Sequence, residues 1–391
     1  MERYDVIIAG GGLAGLSLAL HLARSPLAER NILILDKDAK KRNDRTWGFW
    51  ASRPTLFDEI VYREWRQLRV VGEGGAQVIP LGKYRYKMIR GRDFYAFCHR
   101  ELASYATVHL KQGRVEQIAD GADVAHVTVD GQTFAGRWVF DSLPPRFTAV
   151  PDAQDFHYLK MHFRGWEIET SAPAFDPQTA TFLDFRVPQE REMRFFYILP
   201  FAENRALVEY TLFSKCPLRR QEYEQAIDEY VRNTLGIGDY KILSKESGCV
   251  PITDQPLPRK MGERVMSIGA KANRLKPSTG YAFMRIQKDS QEIVESLLER
   301  GHPFAVPGDP DLYDVLDAVL LDVIQKHGDH IKAAFTAMFQ GNPIERVLRF
   351  LDEEATPWDN LMLVASLPPQ LFVQSLVRVV TRQNLLEIIK S

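Results

Sequence analysis

Three glycines near the N-terminus have the spacing of a phosphate-binding turn. Gly10, Gly12 and Gly15 fit the pattern G-x-G-x-x-G, and Asp36 lies 21 residues after the last of them. In this pattern the first glycine makes a tight turn, the second lets the backbone approach a pyrophosphate, and the third lets a helix pack closely. The N–H groups at the helix start face the phosphates, and the acid accepts hydrogen bonds from a ribose. These four residues predict a dinucleotide site.

The segments around these glycines have the order that such a site needs. Tyr4–Ala9 is predicted to be a buried strand, Leu16–Arg24 a helix and Asn31–Asp36 a second strand, which together form a Rossmann-type unit. Asp36 argues against NADP, because its charge would repel the 2′-phosphate. The residues alone leave FAD and NAD open.

Glu209 is the candidate acid of the chain. On an alternating strand Leu207, Glu209 and Thr211 share one face, while Val208 and Tyr210 share the other. A carboxyl in an apolar pocket has a raised pKa and can donate a proton near neutral pH. From the residues alone, an ordinary exposed strand glutamate is the simpler interpretation. Two other titratable residues, His162 and Asp184, are expected to be structural.

The composition is that of an ordinary globular protein. The 391 residues are 45% hydrophobic and 26% charged, and the net charge of -1 offers no electrostatic reason to expect a nucleic-acid partner. Cys98, Cys216 and Cys249 lack metal-binding or redox spacing, so we expect no metal and a reducing compartment. Because the N-terminus leads directly into a strand, we expect no signal peptide and a cytoplasmic location.

The texture of the chain predicts four parts. Residues 1–150 and 246–300 are expected to form two parts of the nucleotide-binding domain. Residues 151–245 alternate polar and apolar side chains, with many aromatics, as antiparallel strands do. Residues 301–391 are expected to be mostly helical. The aromatic face of the strand block suits either a core face or the wall of an apolar pocket.

Several motifs resemble those of a known family. Val265–Arg285 resembles the late flavin-binding segment of FAD-dependent proteins built like aromatic hydroxylases. Pro277–Tyr281 is similar to the P-[ST]-T-G-Y of lycopene cyclases, and Thr46–Phe49 to the T-W-x-F of that family. Leu207–Thr211 resembles its strand motif, an apolar pair followed by Glu, and Phe350–Val380 is similar in texture. The resemblance spans most of the chain in the expected order.

The resemblance implies a fold and a set of site residues. The fold is α/β, with a Rossmann-type FAD-binding domain, an antiparallel substrate sheet and a helical C-terminal region, as in aromatic-hydroxylase-like flavoproteins. Gly269, Pro277 and Gly280 are expected to contact FAD, and Glu209 to be the catalytic acid. Ala270 stands where the wider flavoprotein group has Asp, and lycopene cyclases share this departure.

The resemblance also implies an activity, namely formation of β-rings on lycopene. The reaction is an isomerisation through a carbocation, with reduced FAD as an assistant and NAD(P)H as the external reductant. A flavin reductase or other carotenoid enzymes are expected partners. A flavin monooxygenase or prenyl-chain reductase is the first alternative. A non-catalytic prenyl-lipid escort protein is the second.

Two apolar clusters near the C-terminus predict contact with a membrane. Residues 361–364 and 371–380 are apolar, are separated by two prolines, and are too short to span a bilayer. They would lie in the membrane interface and make the protein a peripheral one on the cytoplasmic face. A helix pair packed on the core explains the pattern equally well.

Overall fold

The computed structural model describes residues 1–144, 156–308 and 310–390. The strands of this part of the chain are β1 (Arg3–Ala9), β2 (Ile32–Asp36), β3 (Thr46–Ala51), β4 (Arg63–Trp65), β5 (Gln67–Gly72), β6 (Gly75–Pro80), β7 (Arg85–Arg90), β8 (Val108–Gln112), β9 (Val115–Ala119), β10 (Ala125–Val129), β11 (Gln132–Asp141), β12 (Tyr158–Thr170), β13 (Thr179–Asp184), β14 (Met193–Ala202), β15 (Arg205–Ser214), β16 (Tyr240–Thr253) and β17 (Val265–Ser267). The α-helices are α1 (Leu13–Ala23), α2 (Gly91–Leu102), α3 (Arg220–Glu229), α4 (Phe283–Arg300), α5 (Asp311–His327), α6 (Ile331–Gly341), α7 (Ile344–Leu351), α8 (Pro357–Ala365) and α9 (Pro369–Lys390).

The first of two compact units is a nucleotide-binding fold. It comprises Met1–Asn43, Arg90–Thr148 and Pro256–Asp309. Its sheet has the strand order β8-β2-β1-β11-β10-β9, and β17 also pairs with β11. The strands β8, β2, β1, β11 and β17 are joined by parallel pairings, whereas β9 and β10 form an antiparallel extension. The parallel strands are rich in buried aliphatic residues, as expected for a sheet covered on both faces.

The second unit contains the sheet that carries Glu209. It comprises Asp44–Ile89, Ala149–Gln255 and Pro310–Ser391. The strand order of its larger sheet is β16-β12-β15-β14-β13-β5-β6, and β3, β7 and β4 form a smaller one. One face of the larger sheet packs against α3 in a cluster of buried residues from β12, β14 and β15. The side chains that alternate with these along each strand point to the opposite face of the sheet.

The structure differs from the predicted elements in a few places. Residues 44–89 and 310–391 belong to the second unit. The predicted boundaries instead included residues 44–89 in the nucleotide-binding domain and made residues 301–391 a separate helical part. β16 was not predicted, because Gly248 and Pro251 interrupt its alternation. Its place as the last strand on one side of the described sheet explains the proline, since edge strands tolerate a missing N–H.

The C-terminal helices include a strongly bent pair. Within the described residues no single helix is long and apolar enough to cross a membrane. The segments Pro357–Ala365 and Pro369–Arg382 meet the criteria of length and composition only when taken together, and they are bent by 119° relative to each other.

Candidate active site

The glycine turn of the first unit has the backbone geometry that its sequence predicts. Gly10 adopts a φ of +110°, a region that side-chain-bearing residues rarely occupy. A Cβ on Gly15 would lie 1.9 Å from the carbonyl oxygen of Gly10, so α1 can approach the turn only with glycine there. Gly12 is the N-terminal cap of α1, and a Cβ on it would meet nothing within 4 Å. The turn therefore leaves open space at a helix N-terminus, which suits a phosphate group.

Asp36 lies at this same turn. Its Oδ2 accepts a hydrogen bond from the Gly11 N–H at 2.6 Å, and its Oδ1 accepts one from the Asp38 N–H at 2.7 Å. Lys40 Nζ lies 3.7 Å from Asp36 Oδ2. These contacts fix the carboxylate at the end of β2. Its role toward a ribose stays a prediction.

The late segment of the first unit packs on the glycine turn through Gly269. This residue has a φ of +63°, and a Cβ on it would lie 2.7 Å from the Cβ of Ala14 in α1. Pro277 and Gly280 lie in a turn closed by a hydrogen bond from the Gly280 N–H to the Lys276 carbonyl at 2.7 Å. The following helix begins at Phe283 rather than directly at Gly280. The roles of these residues toward FAD stay predictions.

Glu209 lies in the middle of β15, where the strand alternates as its sequence predicts. Val208 and Tyr210 belong to the cluster packed on α3. Leu207 and Thr211 share the other face with Glu209, and the Thr211 hydroxyl donates a hydrogen bond to Glu209 Oε1 at 3.1 Å. Glu209 retains an intermediate solvent exposure.

A second carboxyl faces Glu209 across the neighbouring strand. Gly165 of β12 pairs with Glu209 of β15 on one side and with Glu246 of β16 on the other. Directly paired residues point to the same face of a sheet. A Cβ on Gly165 would lie 3.3 Å from Glu209 Cβ and 3.2 Å from Glu246 Cγ. The missing side chain of Gly165 therefore leaves the space into which the two carboxyl groups converge.

The T-W-x-F motif supports this carboxyl pair. The Thr46 hydroxyl donates a hydrogen bond to Glu246 Oε2 at 2.7 Å. A Cβ on Gly48 would lie 2.2 Å from the hydroxyl oxygen of Tyr86, so the variable position of the motif makes room for a tyrosine of β7. Tyr86 is buried, and its pKa is raised by burial and by the charges of Tyr197 and Glu209. The motif thus places a donor and a neutral phenol beside the two acids.

The pKa of Glu209 is raised well above its usual range. Burial is the largest cause, followed by repulsion from Glu246 and a hydrogen bond with it. Burial also raises the pKa of Glu246, while the hydrogen bonds from Thr46 and with Glu209 lower it. Because two adjacent carboxylates repel each other, the pair keeps one proton. Because Thr46 donates a hydrogen bond to Glu246 and so favours its ionised form, the proton is placed on Glu209.

Aromatic side chains form a wall on the Glu209 side of the sheet. Tyr197 of β14 pairs directly with Glu209. Phe182 lies at the centre of the group, with ring centroids 5.9 Å from Tyr197, 5.5 Å from Tyr86 and 6.2 Å from Trp50. Aromatic faces attract positive charge. A protonated acid in this position can protonate an apolar substrate, and the aromatic rings can stabilise the resulting cation.

His162 and Asp184 contribute to the face packed on α3. The His162 ring bonds the Ser214 hydroxyl at 2.7 Å and the Tyr223 hydroxyl at 2.5 Å. Burial lowers the pKa of His162 to about 4. Asp184 accepts a hydrogen bond from Tyr230 at 2.6 Å and a bidentate pair from Arg186. Both residues are thus bound to neighbouring side chains, as expected for structural groups.

The functional residue that sequence reasoning missed is Glu246. Its segment, with Gly248 and Pro251, lacks a clear strand pattern, so neither its pairing nor its face could be inferred. Gly165 was also missed. A glycine inside a strand often marks a close approach, and that was the available signal.

Comparisons with solved structures identify the fold. A geranylgeranyl bacteriochlorophyll reductase-like protein from Thermoplasma acidophilum superposes with a TM-score of 0.61 at 14% identity, covering 97% of this chain and 100% of the other. A flavoprotein/dehydrogenase from Cytophaga hutchinsonii gives a TM-score of 0.63 at 13% identity, covering 89% and 92%. The fold is that of FAD-dependent flavoproteins of the monooxygenase, halogenase and reductase type, as predicted.

Sequence comparison then identifies the family. The profile described as "Lycopene cyclase protein" matches residues 5–377. The chain therefore belongs to the lycopene cyclase family, which confirms the resemblance.

Two relatives show how distant the individual members are. A lycopene beta cyclase from Arabidopsis thaliana is 24% identical over 301 residues, which cover 72% of this chain and 57% of that protein. A neoxanthin synthase from Solanum tuberosum is also 24% identical, covering 76% of this chain and 61% of that protein. The chain thus spans about three fifths of the length of these curated relatives.

Proposed function

We propose that the protein is a lycopene β-cyclase that forms β-ionone rings by redox-neutral acid–base chemistry. The observation that carries this proposal is the carboxyl pair of Glu209 and Glu246 beside the aromatic wall. Lycopene offers no group for hydrogen bonding, so its site must be apolar and its activation must come from a proton. Family membership supports a carotenoid substrate.

Each step of the reaction has a residue suited to it. The protonated carboxyl of Glu209 donates its proton to the terminal double bond, and the neighbouring double bond attacks the cation to close the ring. Tyr197 pairs directly with Glu209, and the neighbouring rings of Phe182 and Tyr86 add π-electron density that would stabilise the positive charge. Loss of a ring proton to the carboxyl pair completes an isomerisation, so no electrons are gained or lost.

FAD is the proposed cofactor of the first unit. Gly12 leaves open space at the N-terminus of α1 that suits a pyrophosphate, Asp36 accepts a hydrogen bond from the same turn, and Gly269 packs on Ala14 of α1. When bound in its reduced form, FAD supplies negative charge that can stabilise a cation. NAD(P)H, or a flavin reductase that uses it, would supply the reduced form from outside.

The cofactor proposal has a direct test. The purified protein should carry non-covalent FAD, seen as flavin absorbance released on denaturation. Gly12→Asp should abolish the absorbance, because it places bulk and negative charge at the phosphate site. Gly308→Asp is the matched control in the same unit, because a Cβ there also meets nothing within 4 Å and its φ is not positive. Wild-type protein that neither contains nor binds FAD would contradict the proposal.

Cyclase activity can be tested in cells that accumulate lycopene. Expression of the protein should convert lycopene to β-carotene, detected by pigment chromatography. With purified enzyme, one reduction of the flavin should support many turnovers. Consumption of one NAD(P)H per ring would favour the monooxygenase or reductase alternative instead. Bound lycopene without conversion, in protein reconstituted with reduced FAD, would favour the escort alternative.

We further propose that α8 and α9 dock the protein on a membrane. Trp358 and Leu361 of α8 are 63% and 58% exposed, and Val373 and Val377 of α9 are 57% and 61% exposed. Positions 373 and 377 lie on one face of a helix. Such exposed apolar residues fit the interface of a bilayer that contains the substrate.

The other side of α9 contacts the rest of the second unit. Arg378 donates to Asp322 Oδ2 at 2.9 Å, and Arg382 donates to Asp254 Oδ2 at 2.8 Å. Phe372 packs against Val319 and Val379, so this part of the apolar pattern is core. The core explanation therefore holds for Phe372.

Binding to liposomes separates the two parts of the pattern. Trp358→Asp with Val377→Asp should abolish pelleting with liposomes and leave the thermal stability close to that of the wild type. Phe372→Ala should instead lower the stability while the protein still pelleted. Unchanged pelleting of the double variant would contradict the docking proposal.

A further inference from the structure

We infer that Glu246 is the positioning residue that holds the catalytic proton on Glu209. The inference rests on the proposed cyclase activity, since it names the group that prepares its acid. Glu246 is not suggested to touch the substrate. It acts through the carboxyl of Glu209, which it faces across Gly165.

The contacts of Glu246 leave one oxygen for this purpose. Oε2 accepts the hydrogen bond from Thr46 at 2.7 Å. Oε1 is enclosed and has no hydrogen-bond donor among the described residues. A buried carboxylate oxygen without a donor is energetically unfavourable. A proton carried by Glu209 would satisfy it.

The distribution of donors determines which acid carries the proton. Thr46 donates to Glu246 and so favours its ionised form. Among the described residues, Glu209 accepts a hydrogen bond from Thr211 alone, and this bond is longer, at 3.1 Å. Because the better donor lies on Glu246, the shared proton resides on Glu209, and Glu246 remains the carboxylate that accepts it.

This arrangement also accounts for the return of the proton. When Glu209 protonates the substrate, its O–H bond breaks and a C–H bond forms. The site then contains two adjacent carboxylates and one carbocation. Repulsion between the carboxylates raises their affinity for a proton, so the C–H bond that breaks after ring closure gives its proton to the pair. The pair ends in its starting state, and no other reactant is needed.

The first test measures the proton itself and does not require activity. Infrared spectra of the full-length protein at neutral pH should contain the carbonyl band of a protonated carboxylic acid. Difference spectra recorded across a pH titration should show that the band is absent in Glu209→Gln and that it disappears at a lower pH in Glu246→Gln than in the wild type. In Glu246→Gln burial still favours the protonated form of Glu209, but the repulsion from a second carboxylate is gone. A band in Glu246→Gln that disappears at the same pH as in the wild type would overturn the inference.

The second test uses the pH dependence of cyclisation. Glu246→Gln should move the alkaline limb of the pH–rate profile to lower pH, with about a tenfold loss above that limb for each unit of the shift. Glu246→Asp keeps a carboxylate and should retain most of the wild-type limb. An equal loss at every pH would indicate a merely structural role and would overturn the inference.

The two tests separate this inference from the proposed activity. If the wild-type protein formed no cyclic carotenoid, the activity would be wrong, while the infrared result would still report on the pair. Thr46→Val gives a graded check on the donor. It should raise the proton affinity of Glu246 and spread the shared proton over both acids, which broadens the carbonyl band; an unchanged band would count against the assignment to Glu209.

Discussion

The two faces of the larger sheet give their buried acids different partners. On the face packed against α3, His162 has a hydroxyl on each side and Asp184 is bound by Arg186 and Tyr230. On the other face, one acid meets another acid, and an oxygen of Glu246 lacks a donor among the described residues. Buried polar groups that are hydrogen-bonded stabilise a fold. A buried acid that lacks a hydrogen-bond donor has a higher affinity for a proton, which proton-transfer chemistry requires.

Loss of the acid should give the largest effect. Glu209→Gln keeps size and polarity but removes the proton, so cyclisation should fall by roughly 10²–10⁴-fold, as is typical for a positioned acid or base. In heavy water, the wild-type enzyme should incorporate deuterium at the carbon protonated first. Normal β-carotene formation by a folded Glu209→Gln protein would remove Glu209 as the donor.

Crowding the space between the acids should give a smaller loss. In Gly165→Ala the new Cβ would lie 3.0–3.3 Å from Leu207, Glu246 and Glu209, so these neighbours must shift by a few tenths of an ångström. We expect about a tenfold loss of cyclisation and an overpacking cost of about 1–3 kcal/mol. A variant with normal activity would show that the separation of the acids is not critical. Chemical denaturation separates the two effects.

The acid pair should also make stability depend on pH. In the folded state the pKa of Glu209 is raised above its usual value of 4.5. The contribution of Glu209 to the free energy of unfolding is therefore fully present below pH 4.5 and falls as the pH rises toward the folded-state pKa. The loss is at most about 1.4 kcal/mol per pH unit in this window. Glu209→Gln should remove it, so the variant should equal the wild type at pH 4 and unfold at a higher temperature at pH 8. Parallel melting curves for both proteins across this range would contradict a raised pKa.

A change on the face packed against α3 should affect stability alone. The Tyr223 hydroxyl bonds His162 at 2.5 Å and accepts the Leu218 N–H at 3.3 Å. Tyr223→Phe should therefore lower the free energy of unfolding by about 1 kcal/mol and leave cyclisation per folded molecule unchanged. If activity fell along with stability, the contrast between the two faces would be wrong.

Much of the fold follows from local sequence patterns. The glycine turn, its flanking elements and the alternation of β15 were predicted correctly, because each depends on neighbours within a few residues. The helical C-terminal region also agrees with its apolar periodicity.

The partner acid could not be predicted, because it depends on pairing between distant strands. Glu246 reaches Glu209 only because β12 lies between β15 and β16, and Gly165 provides the space. Strand order and register are long-range properties. A similar limit applies to α9, where the apolar pattern did not show that Phe372 faces the core and Val377 the solvent.

The position of β16 at the edge of the described sheet gives the two acids unequal mechanical support. β15 is hydrogen-bonded to β12 on one side and to β14 on the other. Among the strands of the described sheet, β16 is hydrogen-bonded to β12 alone. Edge strands open more readily than central ones. The donor is therefore held rigidly, and its partner can adjust by small displacements as the charge between them changes. Amide hydrogen exchange should be faster in β16 than in β15, so that the motion of the partner acid can be followed without substrate.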